Sequence, residues 1–240
     1  MNISMIGIDI AKQVFQLHGV DKSGKAVLKK RLSRKELLPF IGHLSPCVIV
    51  METCGSSNYW ARQFKIRGHE VKLISPQYVK PFVKTNKTDA NDAEAICEAG
   101  SRPSMYFVPT RTIEQQDIQS LHRIRERLVK SWTSLANQTR GLLAEYGIIL
   151  ADGLGHLRKG LPLILEDAEN ELTASGREFL LDQYEELCEL DKKIGRYDEK
   201  LNRIFKDNEV CQALSQIKGV GPRCEPGKPK AEASSPRKAS

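Results

Sequence analysis

No stretch of this sequence is apolar for long enough to cross a bilayer. The longest wholly apolar runs, such as Val48-Ile49-Val50-Met51, fall far short of the roughly 20 residues that a membrane helix needs. The amino terminus has no basic n-region, and Asp9 interrupts its apolar start. No secretory signal is visible, and a cytoplasmic location is expected. No C-x-x-C pair occurs among Cys47, Cys54, Cys97, Cys188, Cys211 and Cys224, and the five histidines are scattered. A structural zinc site draws about four ligands, usually from close pairs, so zinc is not expected. The cysteines read as free thiols of a reducing compartment. The 240 residues are 40% hydrophobic and 28% charged, which suits one large globular domain or two modest ones.

The net charge of +7 is unevenly placed. Residues 1–110 carry 16 Lys and Arg against 9 Asp and Glu, and residues 111–221 carry 16 against 19. Residues 222–240 return to a positive excess, 5 against 2. A basic amino-terminal region suggests a polyanionic partner.

Strand and helix signals alternate through the first 110 residues. Ile3–Ile10, Val14–Val20 and Lys25–Leu32 read as short strands, and Lys22-Ser23-Gly24 supplies a turn between the last two. A helix is expected near Arg34–Leu44 with Ser33 as its N-cap. Cys47–Met51 reads as a buried strand, Ser56–Arg67 as a helix, Val71–Ile74 as a strand and Asp89–Ala99 as a helix. An antiparallel start followed by alternation predicts an α/β fold, a mixed sheet flanked by helices.

Beyond residue 110 the pattern changes. Leu121, Leu128, Leu135 and Leu142 recur every seven residues, with Ile124, Trp132, Leu143 and Tyr146 widening the stripe. A second run holds Leu180, Leu187, Ile194 and Leu201, with Leu190, Tyr197 and Ile204 beside it. Two heptad helices joined through Gly147–Pro162 predict an antiparallel hairpin or an intermolecular coiled coil over residues 111–210, and with it a homo-oligomer. Residues 223–240 hold no Leu, Ile, Val or Phe and are expected to be disordered.

Four acids stand where chemistry is expected. Asp9 ends the first apolar strand, and Glu52 directly follows Val48–Met51. Asp89 and Asp92 are three apart at a helix start, a spacing that puts both on one face. Adjacent strands ending in acids and facing such a pair can hold two divalent cations, Mg²⁺ or Mn²⁺, at a phosphodiester. Lys12, Lys84 and Lys87 flank these acids in sequence and are candidate phosphate contacts.

Gly7-Ile8-Asp9-Ile10-Ala11-Lys12, Met51-Glu52-Thr53-Cys54-Gly55 and Lys87-Thr88-Asp89-Ala90-Asn91-Asp92-Ala93 resemble the DEDD transposases of bacterial insertion sequences, a group that includes the Piv-type DNA invertases. Arg140–Gly147 and Ile217–Pro222 are similar to that family as well. The resemblance implies a RuvC-like domain of the RNase H fold over residues 1–110, then a coiled coil. A carboxy-terminal transposase domain would begin within residues 211–222. It implies that Asp9, Glu52, Asp89 and Asp92 form the family's catalytic, metal-binding tetrad. It also implies DNA as partner, with a structured guide RNA in some members.

The resemblance stops after Pro222. The family's later serine has no counterpart carried over here, because Ser234, Ser235 and Ser240 lie in a Pro-, Lys- and Ala-rich tail. The expectation is a truncated chain that associates and binds nucleic acid without recombining DNA. One competing reading is a non-catalytic nucleic-acid-binding regulatory fragment. Another is a sugar-kinase or actin-like ATP-binding domain, from Gly7-Ile8-Asp9, although no second glycine-rich phosphate turn follows a later strand.

Overall fold

The computed structural model describes residues 2–83, 89–151, 153–217 and 221, and the side chains of these except Asp89 and Leu154. The tail expected to be disordered, residues 223–240, lies outside the described residues, as do Lys84 and Lys87. The chain divides into two compact units, Met1–Thr112 and Ile113–Ser240.

The first unit is a mixed α/β layer structure. Strands β1 (Met5–Ile10), β2 (Val14–Val20) and β3 (Ala26–Ser33) form an antiparallel meander. Helix α1 (Arg34–Gly42) follows, then β4 (Val48–Glu52), α2 (Ser57–Ile66) and β5 (Glu70–Ile74). The segment α3 (Pro76–Val79) continues into a 3-10 turn over Lys80–Phe82. Then come α4 (Asp89–Gly100) and the two-residue strand β6 (Phe107–Val108). The sheet order is β3-β2-β1-β4-β5-β6, with β1, β4 and β5 parallel and β6 antiparallel to β5. The alternation within each strand separates two apolar faces. Ile6, Ile8, Phe15, Leu17, Ile49, Met51 and Leu73 pack with Leu37 and Ile41 of α1 and Trp60 and Phe64 of α2. Val50 and Ile74 point the other way, against Ala95, Ile96 and Ala99 of α4 and Val79 of α3.

Helix α4 lies unusually close to the sheet. A Cβ on Gly7 would stand 2.4 Å from the Ala93 carbonyl oxygen and 2.6 Å from the Cys97 nitrogen. A Cβ on Gly100 would stand 2.6 Å from a Val50 methyl. Glycine at both positions is therefore a packing requirement, since the backbone at Gly7 has no side chain that could yield.

The second unit is helical. It comprises α5 (Ile113–Glu145), α6 (Leu154–Glu166), α7 (Ala174–Lys206) and α8 (Glu209–Ser215). Helices α5 and α7 run antiparallel. Arg125 pairs with Asp198 at one end, and at the other the Tyr146 hydroxyl lies 3.2 Å from where a Cβ would stand on Gly176. This alignment sets Leu135 level with Leu187 and Leu143 level with Leu180. All four are buried in one cluster with Leu128, Trp132 and Leu190.

Two expectations change here. The heptad stripe of α5 does not hold to its end: Leu142 is 40% exposed, and Leu143 is fully buried in its place. Buried positions run Leu128, Trp132, Leu135, Thr139, Leu143, so one step of four replaces a heptad step of three. Such a stutter lets the stripe follow the 3.6-residue period of a straight helix. The connection between the heptad runs also contains a helix, α6, whose Leu157 and Leu161 are fully buried in the same cluster. Leu128, Leu135, Leu180 and Leu187 of the seam on which the expectation of a homo-oligomer rests are thus buried within one chain by three helices.

The ends of these helices are tied locally. Gly147 at φ +70° closes α5, with Ile148 N–H donating 3.0 Å to the Leu143 carbonyl. Arg177 donates to the carbonyls of Leu165 and Asp167 at 2.7 Å, satisfying acceptors left open at the end of α6. The Thr173 hydroxyl caps α7 by accepting from Gly176 N–H at 3.1 Å.

Candidate functional site

The register of the parallel strands decides where the acids stand. Ile6 pairs with Ile49, Gly7 with Val50 and Ile8 with Met51. One step further, Asp9 and Glu52 come level at the carboxy-terminal edge of the sheet, about 5 Å apart by the usual strand spacing. Asp9 shares its face with Gly7, and Glu52 shares its face with Val50. Both therefore lie on the face that α4 covers. Both are half-buried. The loop after Glu52 is pinned: Thr53 N–H donates to the Ile74 carbonyl at 2.8 Å, and the Ser57 hydroxyl donates to the Cys54 carbonyl at 3.0 Å.

Helix α4 crosses that face obliquely. Its Ala93 and Cys97 lie over Gly7, and Gly100 lies over Val50. Its first turn borders a cleft of about 220 Å³ with Gln16, His18, Lys29 and Arg31. Gln16 is the β2 partner of Asp9, so the helix begins at the level of Asp9. Asp92 is half-buried in this first turn, on the side of α4 that carries Ala95, Ile96 and Ala99. Asp89 begins the helix, and its side chain lies outside the described residues. Lys12 is exposed in the turn between β1 and β2, at the same edge as Asp9, and its carbonyl accepts from Arg34 at 3.4 Å.

The donor set at this edge is carboxylate oxygen, the ligand type that Mg²⁺ and Mn²⁺ prefer. Among the described residues, no group of three or more His, Cys, Asp or Glu is gathered closely enough to hold a metal ion. The backbone brings Asp9 and Glu52 level at one edge and α4 begins beside them, but the Asp92 side chain is not gathered with those two into a three-ligand group, and the side chain of Asp89 lies outside the described residues. Cys97 adds no ligand of consequence. Burial, with Glu94 and Glu98 nearby, pushes its thiol up to about 11. A neutral, packed thiol beneath Gly7 is a core residue.

Two groupings in this unit are not singled out by the sequence. In the cleft, Glu94 lies 3.8 Å from buried His18 and 3.6 Å from Lys29. Along the same strand ends, on the β6 side of the sheet, Tyr78 and Tyr106 stand with ring centroids 6.2 Å apart, and Phe107 follows Tyr106 in the chain. The only sequence signal for the latter is aromatic residues spaced among Lys72, Lys80 and Arg102, and it needs the β5–β6 pairing to become a surface. Among the described residues, no helix is long and apolar enough to cross a membrane.

The sequence comparisons point in one direction. Residues 6–148 match a family model described as a transposase, of the DEDD group named for IS110. The transposase for insertion sequence element IS1111A of Coxiella burnetii is 48% identical over 220 residues, 92% of this chain and 60% of that protein. A probable family 20 transposase of Pseudomonas aeruginosa is 44% identical over 92% of this chain and 66% of its own length. The transposase for insertion sequence element IS1328 of Yersinia enterocolitica is 40% identical, over 92% and 65%. The chain spans somewhat less than two thirds of the length of these relatives. With the family model covering more than half of its residues, the chain belongs to the IS110-type DEDD transposase family.

Proposed function

We propose that the first unit is the RuvC-like, RNase H-type domain of an insertion-sequence transposase, acting in metal-dependent cleavage and transfer of DNA strands. The observation that carries this reading is the register that sets Asp9 and Glu52 side by side on the face covered by α4. The sheet order, an antiparallel meander followed by parallel β4 and β5, supports the same fold. The names of the relatives support transposition as the process.

In this reading Asp9, Glu52, Asp89 and Asp92 hold divalent cations, Mg²⁺ or Mn²⁺. Bound cations supply polarisation of the scissile phosphate and a water of lowered pKa. The chain's own part is placement. Close packing at Gly7 and Gly100 fixes α4, and so fixes its acids relative to the two strand ends. Lys12, Lys84 and Lys87 orient the phosphate backbone as point charges. The net +7 of residues 1–110 attracts DNA, and it serves equally for the backbone of a guide RNA. Self-association would be a property of surfaces other than the buried seam of α5 and α7.

The test is nicking of labelled element-end DNA by the full chain with Mg²⁺ and with chelator. Asp9→Asn should lower the rate at least about a hundredfold while leaving the fold intact by circular dichroism, as loss of a transition-state electrostatic group does. Cleavage by Asp9→Asn at the wild-type rate would refute the assignment. Strand transfer in the same assay separates a working recombinase from a binding fragment.

A further inference from the structure

The acidic edge continues into an aromatic surface. Glu52 pairs with Ile74 at the end of β5, and Ile74 pairs with Phe107 of β6. Phe107 shares its parity with Ile74 and so lies on the face covered by α4, as does Lys72, whose ammonium sits 5.1 Å from the Phe107 ring centre. Tyr106 directly precedes Phe107 and is carried past the edge of β5. Tyr78 comes from α3, which leaves the same end of β5 through Ser75. The two tyrosine rings lie 6.2 Å apart at 35°, and they are 40% and 76% exposed at Tyr78 and Tyr106, with Phe107 37% exposed. Arg102 lies 5.4 Å above the Phe82 ring, and Lys80 is exposed beside it. Lys72 and Arg102 are also paired with Glu70 and Glu98, so the cations are held in place by their neighbours.

By strand spacing, β6 lies about 10 Å from β4 and about 15 Å from β1. Phe107 is therefore within a few nucleotides' reach of the acids on the same edge and face, and the tyrosine pair lies at that same edge. Exposed rings interleaved with cations fit one chemistry well. Unstacked bases lie on the rings while the cations follow the phosphates. A duplex keeps its bases stacked and offers the rings nothing. The charge of residues 1–110, +7, favours a polyanion.

We infer that Tyr78, Tyr106 and Phe107, with Lys72 and Arg102, form a stacking platform for unpaired bases of single-stranded DNA next to the cleavage edge. The inference rests on the proposed function in taking DNA as the substrate and the acidic edge as the site of cleavage. It adds that the DNA beside that edge is bound melted.

The experiment uses the full chain and a fluorescent single-stranded oligodeoxynucleotide, a duplex of the same length and an RNA of the same sequence, all without metal. Tyr106→Ala should weaken single-stranded DNA binding about tenfold, with the duplex unchanged. Tyr106→Phe should bind as wild type, because stacking needs the ring and not the hydroxyl. The salt slope should be unchanged in Tyr106→Ala, since no phosphate contact is lost, and shallower in Lys72→Gln. Circular dichroism and thermal melts check that each variant folds. Unchanged single-stranded binding in Tyr106→Ala would overturn the platform, as would equal losses on duplex. A loss confined to RNA would overturn the DNA assignment. The metal-free readout keeps the two ideas apart: a tenfold loss here with no Mg²⁺-dependent nicking by wild type would sink the cleavage reading alone.

Discussion

The two units of this chain close their cores in opposite ways. In the sheet unit, α4 meets β1 backbone to backbone at Gly7, and Gly100 of the helix sits directly on the Val50 side chain of β4, because neither glycine has a side chain to hold the layers apart. In the helical unit, α5 and α7 are held apart by Trp132, Leu135, Leu143, Leu180 and Leu187, and α6 inserts Leu157 and Leu161 among them. A contact made by omission has no tolerance, since a carbonyl or amide cannot change rotamer. A contact made by interdigitated side chains degrades in steps as each is shortened. In the proposed function the difference matters, because the untolerant contact is the one that sets α4, and with it Asp92, against the strands that end in Asp9 and Glu52.

Each unit has its own reporter for testing this contrast, Trp60 in the first and Trp132 in the second, both buried. The largest effect is expected at Gly7→Val. With the Cβ alone 2.4 Å from the Ala93 oxygen, α4 must leave the sheet, at a cost of about 3 kcal/mol or more. In a Trp132→Phe background, urea denaturation followed by Trp60 should lose its cooperative transition. A retained transition would show that the close approach is not required.

Next in size are the core leucines of the hairpin. Leu143→Ala and Leu187→Ala should each cost about 3 kcal/mol by the Trp132 signal, whereas Leu142→Ala should stay within about 0.5 kcal/mol. The opposite ranking of Leu142 and Leu143 would restore the strict heptad. A smaller effect belongs to the ion pair between α5 and α7. Arg125 and Asp198 are each about one-fifth exposed. Asp198→Asn should cost about 1 kcal/mol, less in high salt, and no loss in low salt would remove the pair from the account of the antiparallel register.

The smallest effect is a pH dependence of the first unit. Burial raises the thiols of Cys47 and Cys97 from about 9 to about 11. The folded state therefore holds protons that the unfolded chain releases from about pH 9. Stability is full below pH 9 and falls as pH rises toward 11, by about a few tenths of a kcal/mol per thiol at pH 9 itself. In denaturant titrations at pH 8 and pH 9, a flat Trp60 midpoint in wild type, or an equal fall in a Cys47→Ala and Cys97→Ala double variant, would assign the dependence elsewhere.

The same contrast explains what could be read from the sequence. β1, β2 and β3 are legible because alternation and the Lys22-Ser23-Gly24 turn are local signals. β6 is not, since two residues carry no period and the strand exists only through its pairing with β5. α6 is hidden by Gly155, Gly160 and Pro162, although Leu157 and Leu161 have helical spacing. The step from Leu142 to Leu143 depends on which residues oppose them, which the stripe alone does not contain. An acid ending an apolar run marks Asp9 and Glu52 as strand-end residues. That both lie under α4 follows from the β1–β4 register and from Gly7, neither of which is a property of the runs themselves.

The central claim is that Asp9, Glu52 and the acids opening α4 hold divalent cations at one edge of one sheet face. Mn²⁺ titration of the full chain, followed by electron paramagnetic resonance of the free ion, tests it without any DNA or activity. Glu70, at the opposite end of β5 and paired with Lys72 at 3.3 Å, serves as the control acid. Saturable binding weakened at least about tenfold by Asp9→Asn and by Glu52→Gln, and unchanged by Glu70→Gln, is the predicted result for shared carboxylate ligands. Wild-type Mn²⁺ affinity in Asp9→Asn would contradict it.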